Sequence, residues 1–214
     1  YHLLEAYLRF SGVEPLAQPG LPERMAWKLR VETPLVDTKQ NVIVGMISVN
    51  DGPLAPFPLA LRWPDSAPKP KLVLACTGGS RRMEKAPFEI KDGKLTVTMP
   101  GFDTHATLLA LTNSDPLISL EFSGAPRAIA GLLEVKPNTR LKIKATVWNP
   151  SPRKLPAGVV KLYAAPGWYA NAGEAKVESI DAYGSREVSF EVAPPALCAQ
   201  RTLRPIVLKY ESGK

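Results

Sequence analysis

The sequence predicts an all-β protein made of two tandem β-sandwich domains, and three observations carry that reading. Apolar and polar residues alternate with a period of two in WKLRVE, RLKIKATVW and REVSFEV, the pattern of a strand with one buried face. The 22 prolines and 15 glycines in 214 residues cut the chain into short pieces and leave little room for long helices. Apolar residues make up 45%, enough for each half to enclose a core. The length suits one large or two ordinary domains.

The opening YHLLEAYLRFSG is the one helical pattern. Leu4, Tyr7 and Leu8 share a face and Gly12 stands where a C-cap belongs, so a short helix is expected within residues 1–12. Its abrupt start suggests the tail of something removed. VEPLAQPGLPER then reads as an extended proline-rich connector ending at residue 24.

The first sandwich is expected over residues 25–122. In WKLRVE, Trp27, Leu29 and Val31 alternate with Lys28, Arg30 and Glu32. NVIVGMISV and KLVLACT are more continuously apolar, as suits central strands. In FEIKDGKLTVTM the Asp92-Gly93 pair between two strand patterns predicts a hairpin, because a type I′ turn needs positive φ at both central residues. HATLLAL closes this half. The second sandwich is expected over residues 123–214. RLKIKATVW buries Leu141, Ile143, Ala145 and Val147, VVKLY follows a turn-rich loop, and REVSFEV turns Val188, Phe190 and Val192 inward. RPIVLKY begins at a proline, a place where a strand tolerates one. Short strands punctuated by turns point to an immunoglobulin-like or fibronectin type III-like sandwich.

In order, LEVKPNTRLKIKATVWNPS, VVKLYAAPGW, REVSFEVAPP and a terminal strand resemble the NPCBM-associated Ig-like family over about residues 128–212. The matching marks are the Lys136-Pro137-Asn138 turn, Asn149 at a strand end, and Pro166-Gly167-Trp168. Asn138 stands where the family often has glycine, and both residues tolerate left-handed φ. The preceding half, through KDGKLTVTMPGFDTHATLLAL, more loosely resembles the β-sandwich that trails many glycoside hydrolases. The resemblance implies a non-catalytic accessory region of a larger, bacterial carbohydrate-active protein. It also implies an extracellular, periplasmic or cell-surface location and an upstream domain of the same polypeptide as partner.

The residues offer few chemical constellations. Glycoside hydrolysis needs two carboxyls facing one cleft, but most of the 20 acidic residues fall on outward positions or in turns, as with Asp92, Glu187 and Glu191. Asp103 and His105 share strand parity, but no Gly-x-Ser-x-Gly elbow supplies a nucleophile. No catalytic residue is assigned. Two histidines and two cysteines, far apart in sequence, provide no zinc spacing, and no cofactor motif is present. Cys76 is expected as a buried free thiol, with a bridge to Cys198 as the alternative. Lysine plus arginine outnumber the acids 27 to 20, but they are scattered, without the clustering or interleaved aromatics of nucleic-acid binders. No apolar run approaches the roughly 20 residues that cross a bilayer.

Two binding candidates remain. Gly78, Gly79 and Ser80, followed by Arg81 and Arg82, form a possible anion nest. Trp63, Trp148 and Trp168 stand at strand ends beside proline or glycine, where a ring either stacks on a sugar or caps a core, and Trp63, Trp148 and Tyr169 are the candidates for sugar stacking. In YAAPGWYA, Trp168 is read as the lid and Tyr169 as the exposed partner. The alternatives to structural support are therefore a carbohydrate-binding module, with a polysaccharide as partner, or an adhesion domain.

Overall fold

Every described element is a β-strand in an antiparallel pair. The computed structural model describes residues 17–22, 29–31, 35–36, 41–48, 53–63, 66–78, 82–123, 127–129, 132–196 and 205–213. The helix expected within residues 1–12 lies outside them, as do Trp27, Gly79, Ser80, Arg81 and Cys198. The chain divides into two compact units, Tyr1–Thr112 and Asn113–Lys214.

In the first unit the strands are β1 (Ala17–Pro19), β2 (Leu29–Val31), β3 (Leu35–Val36), β4 (Val42–Ser48), β5 (Phe57–Arg62), β6 (Leu72–Thr77), β7 (Met83–Lys85), β8 (Phe88–Lys91), β9 (Lys94–Met99) and β10 (His105–Leu111). One sheet runs β1-β5-β9-β8. The other runs β2-β4-β10-β6-β7, with β3 also on β4. Alternate residues of both sheets meet in one core: Leu59, Leu61, Leu95 and Val97 from the first, Val44, Met46, Val73 and Leu108 from the second. Burying each such side chain contributes roughly 1.5–3 kcal/mol, and this gain selects the register over a one-residue slip. The arrangement is sandwich-like.

The Asp92-Gly93 turn forms as expected, with φ of 51° and 68° and Lys91 opposite Lys94. The proline-rich connector behaves differently. Its Ala17–Pro19 stretch adds an edge strand to β5, from Ala17 opposite Leu61 to Pro19 opposite Leu59. Pro19 is tolerated because this strand lies at the sheet edge. β5 itself escapes an alternation rule that treats Pro58 as a strand breaker. The pairing with β1 stops at Leu59, and the Pro58 carbonyl still accepts the Gly20 N–H at 2.6 Å.

In the second unit the strands are β11 (Leu117–Ser123), β12 (Arg127–Ile129), β13 (Leu132–Glu134), β14 (Leu141–Trp148), β15 (Gly158–Tyr163), β16 (Tyr169–Ala170), β17 (Glu174–Val177), β18 (Ser185–Ala193) and β19 (Val207–Ser212). Sheets β11-β14-β18-β16 and β17-β15-β19 enclose a second core, and β12 pairs with β13. Leu141, Ile143, Ala145, Val147, Phe190 and Val192 lie in that core, the inward positions given by alternation. Strand β11 pairs along its whole length with β14, so residues 117–122 join the second unit although the sequence pattern groups them with the first.

Turn chemistry follows residue type. Thr139 N–H donates to the Lys136 carbonyl at 3.1 Å around Pro137-Asn138, with Asn138 at φ 56°. Trp168 N–H donates to the Ala165 carbonyl at 3.1 Å around Pro166-Gly167, with Gly167 at φ 80°. Both have proline at the second position and a left-handed third residue, the preference of a type II turn.

Candidate functional site

The candidate aromatics separate into two kinds. Trp63 and Trp148 are each only 5% exposed and belong to the buried apolar set. Neither offers a ring face to a sugar. Trp148 is fixed by its Nε1–H, which donates to Ser119 Oγ on the neighbouring strand at 2.8 Å. Trp63 packs in the first core, and its Nε1 has no hydrogen-bond partner among the described residues. Trp168 is half-buried against the second core.

Tyr169 is 53% exposed. It opens the two-residue strand β16, opposite Ala193 of β18. The Arg140 guanidinium carbon lies 6.0 Å from its ring centroid, at the outer limit of a cation–π contact. Arg140 Nη1 also donates to Glu191 Oε1 at 2.8 Å. Asn171 and Glu191 then bond twice: Asn171 N–H to the Glu191 carbonyl at 2.9 Å, and Glu191 N–H to Asn171 Oδ1 at 2.7 Å. An exposed ring is thus set beside a guanidinium, a carboxylate and a carboxamide. Such a patch can stack on the apolar face of a pyranose and hydrogen-bond its hydroxyls.

Sequence reasoning singled out Tyr169 and missed Arg140, Asn171 and Glu191. These residues come from a pre-strand turn, a loop and an outward position of β18, and only strand pairing gathers them. The outward parity of Glu191 was the single available signal.

The anion candidate is described only at its ends. Gly78 N–H donates to the His105 carbonyl at 2.7 Å, and the His105 ring occupies the space a Cβ on Gly78 would need. The Gly78 amide is therefore spent on extending the β6–β10 ladder. The side chain of Arg82 approaches Glu84 at 3.8 Å. His105 Nδ1 lies 3.0 Å from Thr104 Oγ1, and no hydrogen bond joins it to Asp103 among the described residues. Cys76 has a free, half-buried thiol, and burial pushes its pKa up, which disfavours the nucleophilic thiolate.

Asn149 is fully buried. Its Nδ2 donates to the carbonyls of Arg153, Ile180 and Asp181 at 2.8, 3.2 and 3.0 Å, and its Oδ1 accepts the Ser151 N–H at 3.0 Å. One side chain thereby staples the loop after β14 to the segment before β18. Among the described residues no three His, Cys, Asp or Glu side chains converge as a metal site. No helix among them is long and apolar enough to cross a membrane. Scans of the chain against protein-family models and against curated proteins give no match.

Proposed function

We propose that this chain is a non-catalytic accessory region of a larger, bacterial carbohydrate-active protein, such as a glycoside hydrolase. It acts outside the cytosol as structural support for an upstream domain of the same polypeptide. Its two halves are tandem sandwiches, the second immunoglobulin-like and of the NPCBM-associated kind. The observation that carries the reading is the use made of the marked residues. Asn149 staples two loops, Pro166-Gly167 turns the chain into Trp168 over the core, and Trp63 and Trp148 are buried. These residues are spent on architecture.

Two assays on the intact chain test this. No turnover is expected on a panel of aryl glycosides, and no retardation on affinity gels cast with neutral and acidic polysaccharides. Turnover abolished by a point substitution within the chain would overturn the non-catalytic reading. A second reading, a carbohydrate-binding module, is favoured by the Tyr169–Arg140–Glu191–Asn171 patch. Gel retardation that disappears in Tyr169→Ala, with the fold intact, would establish it in place of the first.

A further inference from the structure

Strand β19 closes its sheet with a free edge. The Gly213 N–H donates to the Ala157 carbonyl at 2.9 Å, and the register continues with Glu211 opposite Val159 and Lys209 opposite Lys161. Main-chain groups of successive residues point to opposite sides of a strand, so Val207, Lys209 and Glu211 bond to β15 as Gly213 does. Those of Leu208, Tyr210 and Ser212 point away from β15, where no described strand pairs with them. The run Val207–Ser212 has no proline, so none of these N–H groups is missing from the edge. Side chains alternate in the other direction. Ile206, Leu208 and Tyr210 pack on the second core but stay only half-buried, whereas Val160 on the adjacent β15 is fully buried. The Tyr210 hydroxyl donates to the Pro156 carbonyl at 2.6 Å, which holds that ring in place along the edge. Val207, Lys209 and Glu211 face outward.

We propose that this edge takes a second copy of the chain, β19 against β19, antiparallel about a two-fold axis at Tyr210. The choice of axis follows from the residues. With Tyr210 opposite Tyr210 of the second copy, Leu208 lies opposite its Ser212, and every free N–H and C=O from Leu208 to Ser212 meets a partner in phase. Lys209 then stands directly opposite Glu211 of the second copy, at a position where facing side chains come closest, and symmetry repeats the pair. Both groups are available for it. The Lys209 side chain is 66% exposed, and its ammonium lies 3.6 Å from Glu211 Oε1 of its own chain, longer than a hydrogen bond. Glu211 engages Lys161 through its other oxygen, Oε2, at 2.6 Å. Pairing also sets the two Tyr210 rings side by side, which covers the half-open end of each core. The inference rests on strand geometry and stands whether or not the accessory reading is right.

Sedimentation equilibrium on the intact chain, with a thiol reductant present so that no disulfide joins the copies, tests this. The mass should rise reversibly from 23.3 kDa toward twice that value, with a dissociation constant on the order of 0.1 mM for so small a seam. A chain that stays monomeric up to about 1 mM overturns the proposal. Ser212→Pro removes an N–H that β15 does not use, so the fold should persist while dimerisation weakens about tenfold or more. Association that survives Ser212→Pro uses another face and overturns the proposal. The charges supply a second test, which decides if the proline variant does not fold. Lys209→Glu and Glu211→Lys each set like charges across the axis, and each should be monomeric where the parent dimerises. Mixed in equal amounts, the two variants pair unlike charges on both sides of the axis and should dimerise again. No recovery on mixing two folded variants overturns the proposal.

Discussion

Replacing Asn149 by alanine should cost the second unit about 3 kcal/mol, from the following arithmetic. The side chain makes four hydrogen bonds from a site with no solvent exposure. Two acceptors keep another donor after truncation: the Ile180 carbonyl holds Leu155 N–H at 2.8 Å, and the Asp181 carbonyl holds Gly184 N–H at 2.9 Å. The Ser151 N–H and the Arg153 carbonyl lose their partner, in a loop where water recovers part of the loss. A net hydrogen bond is worth about 1 kcal/mol and an orphaned buried group about 1–3, which gives the total. For a unit of this size that is roughly 15 °C of melting temperature. Asn149→Asp separates donor from acceptor. It keeps the oxygen facing Ser151 N–H but turns a charged oxygen toward three carbonyls, so it should be less stable than Asn149→Ala by about 1–2 kcal/mol more. Facing carbonyls, that carboxyl would have a folded pKa above its unfolded value, so its penalty shrinks as pH falls. Urea unfolding, followed through hydrogen exchange of amides in Leu141–Trp148 and Ser185–Ala193, isolates this unit. An alanine variant within about 0.5 kcal/mol of the parent, the range of an inconsequential surface change, refutes the staple. So does an aspartate variant at least as stable as the alanine one.

Three further outcomes are expected. Trp148→Phe should cost about 1 kcal/mol more than Trp63→Phe by urea unfolding, because only Trp148 loses a hydrogen bond, to Ser119, at equal burial. Equal costs would contradict the assigned roles. Gly158→Ala should destabilise the second unit by about 2 kcal/mol, since a Cβ there would overlap the Glu211 carbonyl and come within 2.9 Å of the Tyr210 ring; an unchanged urea midpoint would show that β15 and β19 can separate freely. The hydrogen bond from Lys161 holds the Glu211 carboxyl below the usual carboxylate range. Its small stabilising effect is therefore present above the unfolded carboxylate pKa and fades as pH falls through the lower folded value. Lys161→Met should move the Glu211 NMR titration midpoint upward, and a midpoint that stays put would mean the pair does not persist in solution.

The sequence alone determined the elements whose cause is local. Period-two alternation placed Leu141–Trp148 and assigned its inward face, because burial of alternate side chains is written directly into residue order, and the apolar run HATLLAL marked His105–Leu111 as a strand. Asp92-Gly93, Pro137-Asn138 and Pro166-Gly167 announced their turns, because left-handed φ is cheap for few residue types. The tertiary structure decided what depends on distant partners. Ala17–Pro19 became a strand only because β5 offered an edge, and Leu117–Ser123 joined the second unit through its ladder with β14 and the packing of Ile118, Leu120 and Phe122 on that core. Leu72 and Leu74 looked like ordinary members of a central strand, yet they are buried on the side away from the core residues Val73 and Ala75. Tyr169 was legible as an exposed aromatic, but Arg140, Asn171 and Glu191 reach it through strand pairing. Pairing is set by the global balance of buried area against chain entropy, and no local pattern encodes that balance.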